Sequence, residues 1–467
     1  MKNILLIFLT LIVNISFAQT EEPENKIVTN NFVKNYNNND YKAIFSMFAD
    51  VMQNTLPEDK TNEYFSNLKT EVGNITNIEF LKYENGSYAS YKTDFERTVF
   101  TLYISIDKNS KINGLLIKPY IEENVTNNLS ENNLITKNQS EIIFDKIKPF
   151  PNNTQISIAI IKDGKVGYYG VKKSKDTIFS IENRKSIFEI GSISKVFTST
   201  LLANFVINKK IKLNDNINDY LKIPFKNNTK VSFINLANHT SGLPRLPSNL
   251  DLTKTNPENP YKEYKEKNLE EYLAKYLELS NKGAYQYSNL GVGLIGYTLS
   301  EIEKSTYENL LQNKIFSKYN MQNSTTDIKN VKGNLVKGLN NEGKEIPNWE
   351  FSVLAGAGGI LSTVEDLSKF AIAQFDCSNK ELKLTRKKTF EVNENMDVGL
   401  GWHILKSQSK NLWYWHSGGT GGYSSSMVID TKIKNGIVIL SNVSAFNPNM
   451  RNIDKLCFEL MKTLEEK

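Results

Sequence analysis

Phe188-Glu189-Ile190-Gly191-Ser192-Ile193-Ser194-Lys195-Val196-Phe197-Thr198 is the stretch on which the reading of this chain turns. A serine at the start of a helix and a lysine three residues later share one helical face, so hydroxyl and amine can meet. The helix N-terminus also favours negative charge developing at that hydroxyl. Spacing alone selects nothing, because Ser-x-x-Lys begins at Ser66, Ser105, Ser192 and Ser407. A plain N-cap is the simpler reading of any one of these serines.

Context selects Ser192. Tyr-x-Asn begins at Tyr36, Tyr83, Tyr287 and Tyr307, but Tyr287-Ser288-Asn289 sits inside Tyr285-Gln286-Tyr287-Ser288-Asn289-Leu290-Gly291-Val292-Gly293-Leu294. His416-Ser417-Gly418 follows and falls just before a strand-like run. The three elements, in this order, resemble the nucleophile, Tyr-x-Asn and Lys/His-Thr/Ser-Gly motifs of class C β-lactamases, D-alanyl-D-alanine carboxypeptidases and β-lactamase-fold esterases. Leu236 to Pro244 and Ala357 to Leu367 resemble framework of the same family.

The resemblance implies a serine hydrolase working through an acyl-enzyme at Ser192, on D-amino-acid peptides or small esters. Lys195 and Tyr287 would move protons, and which of them is the base stays open. Asn289 would hold the acyl-side amide of the substrate and Lys195. His416, Ser417 and Gly418 would bind substrate, with His416 charging near ~6.5 to meet a carboxylate. The backbone N–H groups of Ser192 and Gly419 would form the oxyanion hole. Histidine where many β-lactamases carry lysine favours a peptidase or esterase. A penicillin-binding protein or class C-like β-lactamase is the near alternative, and a catalytically weak scaffold protein a more distant one. No cofactor or metal is implied. His239 and His403 read as structural, and three histidines with scattered carboxylates make no zinc spacing.

Working outward, Ile156 to Ile161 and Val166 to Val171 flank Asp163-Gly164 and read as a β-hairpin. Ser425 to Asp430 and Gly436 to Leu440 read as two late strands, and Asn452 to Leu464 as an amphipathic terminal helix. Strands at both ends with helical sequence between them predict a two-lobed α+β or α/β fold over residues 141–467. That is the β-lactamase/transpeptidase-like fold, an antiparallel sheet flanked by helices plus a helical lobe.

Before it, residues 22–122 form a smaller α+β unit. Phe32, Tyr36, Ile44, Phe45, Phe48, Val51 and Met52 recur at near-helical spacing, and Val99 to Ile106 with Gly114 to Ile117 read as paired strands. This unit resembles NTF2-like domains. Residues 123–140, rich in Asn, Glu, Thr and Ser, read as a linker.

At the front, Lys2, the apolar run Ile4 to Val13 and Ser16-Phe17-Ala18 form a signal peptide over 1–18. Export to the periplasm or beyond follows, with no membrane span left after cleavage. The net charge of +6 is spread along 467 residues, so no basic patch marks a nucleic-acid surface. Cys377 and Cys457 have no metal or redox spacing and are expected as buried free thiols.

Overall fold

Asp163 and Gly164 both take positive φ, 51° and 77°. This two-residue turn twists in the sense that the flanking strands require. It joins Gln155–Lys162 to Lys165–Ser174, the hairpin read from the sequence. In this computed structural model the described residues are 20–465, apart from 85–86, 121–124, 131–134 and 408–410. The signal peptide expected at 1–18 lies outside them.

The hairpin belongs to a ten-stranded sheet. On one side Gln155–Lys162 pairs antiparallel with Asn435–Ser441, which pairs with Ser424–Asp430 and then Leu412–Gly419. Sequence ends therefore meet at the centre of the sheet. All seven residues of Ser424–Asp430 and of Asn435–Ser441 are buried, so both faces of the sheet are covered. The helices Lys137–Ile147 and Arg451–Thr463 cover one face through Ile143, Ile147, Leu456 and Leu460. On the other, Ser194–Ile207 and Val364–Ala373 bring Val196, Phe197, Leu367 and Phe370 against Met427 and Val438. A separate helical core forms around Phe205, Leu236, Tyr272, Leu294 and Leu354. This is the sheet-and-helical-lobe architecture expected.

The chain divides into two compact units, Met1–Ile121 and Glu122–Lys467. The smaller one packs four helices, Pro23–Asn37, Tyr41–Met47, Asp50–Thr55 and Glu58–Val72, on a four-stranded antiparallel sheet. Its core is aromatic, with Phe32, Tyr36, Phe48, Phe65 and Tyr91 buried.

Two expectations need correction. Residues read as a linker are partly built into the larger unit: Thr126–Asn128 pairs parallel with Thr177–Ile181, and Ile135 is buried. Thr136 and Gln139 close a capping box on the next helix. Polar composition concealed these elements, because an edge strand and an N-cap both favour polar residues. Both cysteines are free, but Cys377 is exposed and only Cys457 is buried. Among the described residues no helix is long and apolar enough to cross a membrane.

Candidate functional site

Ser192 lies in a single 3₁₀ turn, Gly191–Ile193, that runs directly into the helix Ser194–Ile207. Gly191 takes φ +50°, and a Cβ there would stand 2.5 Å from the Gly419 nitrogen. A Cβ on Gly418 would stand 2.0 Å from the Ile190 carbonyl oxygen and 2.9 Å from the Ser192 nitrogen. Glycine at both places lets the nucleophile turn and the end of the strand Leu412–Gly419 touch backbone to backbone. Ser425 Oγ donates to the Ile190 carbonyl at 2.8 Å and pins the turn. The arrangement brings the backbone of the nucleophile turn against that of Gly418 and Gly419.

Lys195 is fully buried. Its Nζ lies 2.9 Å from Ser192 Oγ and donates to the Ala357 carbonyl at 2.6 Å. Asn289, expected to hold it, is not among these partners. Burial drives the Lys195 amine well below its usual range, and the Arg245 charge adds to this. Desolvation disfavours the charged ammonium and so raises the share of free amine beside the serine hydroxyl.

Tyr287 behaves in the opposite way. Its ring sits under Lys195 Nζ, 4.9 Å from the centroid, and under the Arg245 guanidinium at 5.3 Å. Burial nonetheless pushes the phenol upward; Ser192 and Arg245 oppose the rise without cancelling it. The shift favours the phenol over the phenolate.

The chain has three histidines, and all three surround Tyr287. Ring centroids lie at 4.5 Å for His239, 6.5 Å for His403 and 6.3 Å for His416. His239 Nδ1 accepts from the Ser288 N–H at 3.2 Å, and His403 Nε2 meets the Tyr285 hydroxyl at 2.8 Å. Burial lowers all three, His403 to about 4. His416 is 2 % exposed. Its Nδ1 meets the Ser417 carbonyl at 2.6 Å, while Nε2 has no partner among the described residues. A histidine that charges near pH 6.5 against a substrate carboxylate does not fit this position, since desolvation keeps the imidazole neutral. Ser417 and Gly419 alternate with it along the strand and are the partly open positions. Among the described residues no cluster of three or more His, Cys, Asp or Glu is arranged to hold a metal.

A cavity of about 410 Å³ opens beside Ser192 and Asn289. Tyr261, Trp349 and Phe351 make its aromatic wall, Tyr261 stacking on Phe351 at 4.7 Å. Glu189, immediately before the nucleophile turn, fixes that wall by accepting from the Trp349 N–H at 2.8 Å and the Asn348 amide at 2.7 Å. Burial pushes this carboxyl up to about 7. Arg245 and Glu189 were missed by motif reading. The available signals were an arginine closing the Leu-Pro framework run, in a chain with five arginines among 57 basic residues, and an acid inside an apolar strand.

Residues 145–459 match the sequence model of the Beta-lactamase family. The chain belongs to the Beta-lactamase family. Its chemistry is accordingly of the serine hydrolase type. Residues 29–115 match a second model, Protein of unknown function (DUF3887), consistent with the NTF2-like helices on a sheet. A "Beta-lactamase" of Providencia stuartii is 39% identical over 160 residues, 32% of this chain and 38% of that protein. "Beta-lactamase-like protein 4" of Dictyostelium discoideum is 28% identical over 411 residues, 79% of this chain and 67% of that one. The Beta-Lactamase/D-Alanine Carboxypeptidase from Pseudomonas syringae superposes with TM-score 0.56 at 20% identity, covering 70% of this chain and 97% of its own. At that identity the likeness is one of fold.

Proposed function

We propose that this Beta-lactamase-family chain is an exported hydrolase that cleaves amide or ester bonds of D-amino-acid peptides or small esters. The leader at 1–18 would direct export, residues 141–467 would carry the chemistry, and 22–122 would be a separate accessory domain. Ser192 Oγ attacks the acyl carbon while its proton passes to the Lys195 amine. The oxyanion is taken by the Ser192 and Gly419 N–H groups. Collapse of the tetrahedral species breaks the bond to the leaving group, which takes a proton from Tyr287 as the Lys195 proton restores the phenol. Water then attacks the acyl-enzyme by the reverse route and frees Ser192. Asn289 holds the acyl side, with Ser417 and Gly418 along the opposite edge.

The observation that carries this reading is the buried Lys195 amine 2.9 Å from Ser192 Oγ with its pKa lowered. A surface Ser–Lys pair would keep the ammonium charged and useless as a base. The test is intact-protein mass spectrometry after a fluorophosphonate and, separately, after penicillin. One fluorophosphonate adduct on Ser192 is expected. Labelling at Ser66, Ser105 or Ser407 refutes the assignment. A lasting penicillin adduct, or penicillin turnover, would shift the reading to a penicillin-binding protein or β-lactamase.

A further inference from the structure

We infer that Arg245 is the anion anchor of this site, selecting substrates that carry a carboxylate near the scissile bond and an apolar group against Trp349, Tyr261 and Phe351. The inference rests on the Ser192 hydrolase reading and adds the class of substrate.

Among the described residues lining the cavity beside Ser192, Arg245 is the one charged side chain, and none is acidic. Its position is fixed by the backbone. The Arg245 carbonyl accepts from the N–H groups of Asn289 and Leu290 at 3.0 and 3.1 Å, tying this residue to the first turn of the helix that presents Asn289. The guanidinium itself is exposed and lies over the Tyr287 ring. Stacking on an aromatic face leaves the in-plane N–H fork free, and that fork matches a carboxylate bidentately. The chain's other arginines with described contacts are engaged: Arg97 donates to the Glu71, Lys69 and Thr70 carbonyls, and Arg184 pairs with Glu182 and Glu365. Among the described residues Arg245 has neither an ion pair nor a side-chain hydrogen bond.

Other cations fail the role for separate reasons. Lys195 is buried and committed to Ser192 and the Ala357 carbonyl. The imidazole of His416 is buried and held neutral. An anion entering the cavity therefore meets Arg245. The wall opposite is apolar, and two rim residues, Leu252 and Phe446, stand 47% and 66% exposed. Apolar side chains left open at a cleft mark where an apolar ligand group binds.

The experiment compares 3-carboxyphenyl phenylacetate with 3-carbamoylphenyl phenylacetate, which share the scissile ester and differ in charge. The ratio of their kcat/KM values cancels the common proton transfers and leaves differential binding. The full-length protein should favour the carboxylate ester. Arg245→Gln should lower the ratio about tenfold or more, and Arg245→Lys should restore part of it. The wild-type ratio should be equal at pH 5.5 and 7.5, because a guanidinium does not titrate there. A ratio moved less than twofold by Arg245→Gln overturns the inference, and so does one that climbs toward acid pH, which would assign the carboxylate to an imidazole. Failure to turn over either ester, in a chain whose Ser192 does take a fluorophosphonate, also overturns it alone. Absence of both turnover and labelling overturns the hydrolase reading itself.

Discussion

The smaller unit contains a near copy of the site's signature and does something else with it. Ser66-x-x-Lys69 lies on the helix Glu58–Val72, and Lys69 Nζ stands 5.3 Å over the ring of Tyr36, itself the start of Tyr36-Asn37-Asn38. In the larger unit Lys195 Nζ stands 4.9 Å over Tyr287. The motifs and the cation–ring contact are thus shared. The amine's partners are not. Lys69 donates to the Tyr36 and Asn37 carbonyls at 3.1 and 2.7 Å, capping the C-terminus of the helix Pro23–Asn37, and Ser66 is exposed. Ser66 also lies mid-helix, whereas Ser192 occupies the 3₁₀ turn before its helix, where hydroxyl and amine meet inside the fold. A Ser-x-x-Lys motif is a site only when the fold buries the amine beside the hydroxyl.

The sharpest break of this comparison is a pair of alanine variants. Ser192→Ala should reduce ester hydrolysis by roughly 10⁴-fold or more, while Ser66→Ala should leave the rate unchanged. The opposite pattern would make the smaller unit catalytic.

The second pair exchanges the lysines. Lys195→Met should cost about 10²–10⁴-fold in kcat/KM, the usual worth of a general base. A base works unprotonated, so wild-type activity should rise with pH through the lowered Lys195 pKa, at lower pH than an ordinary lysine would give. The variant should lose that limb of the profile. Lys69→Met should leave the rate alone and instead loosen the smaller unit by about 1–3 kcal/mol, the worth of hydrogen bonds from a charged donor. Faster amide exchange in Pro23–Asn37 would report it.

A third test exploits the histidines, which the larger unit alone contains. His403 falls from 6.5 to about 4 on folding. Above pH 6.5 both states are neutral and nothing is lost. Between 6.5 and about 4 the unfolded chain binds the proton and the folded chain does not, so stability falls with pH, by about 3 kcal/mol for this residue. Glu189, raised to about 7, works the other way, favouring the fold as pH drops from 7 toward 4.5. His403→Gln should therefore remove this residue's share of the acid loss, leaving those of His239 and His416 in place with the Glu189 contribution opposing them. All four tryptophans lie after residue 340, so tryptophan fluorescence in denaturant follows the larger unit.

The smallest effect concerns the boundary. A chain starting at residue 122 should fold and hydrolyse esters like the whole protein. One starting at residue 138 lacks the strand Thr126–Asn128, buried Ile135 and the Thr136 cap. It should lose at least about 1 kcal/mol from the missing cap, read as a lower denaturation midpoint. Equal midpoints would return 123–140 to the status of a linker.

The sequence by itself determined the three ordered motifs, the hairpin at Asp163-Gly164, the late strands and the two-unit division, because each is written in neighbouring residues. Periodicity and turn chemistry act over a few positions, and so they are visible there. It also placed Ser192, Lys195, Tyr287 and Asn289 in one site through their resemblance to a family. Why the Ser192 hydroxyl meets its lysine's amine while Ser66 does not was decided only in three dimensions. So were the gathering of His239, His403 and His416 around Tyr287, the lowered pKa of Lys195 and the standing of Arg245 as the one charged side chain among the described residues lining the cavity. These residues are scattered between positions 195 and 416, and a pKa is set by what packs around a group rather than by what precedes it in the chain. Desolvation is a property of the folded interior, so the sequence names the groups and the tertiary structure assigns their protons.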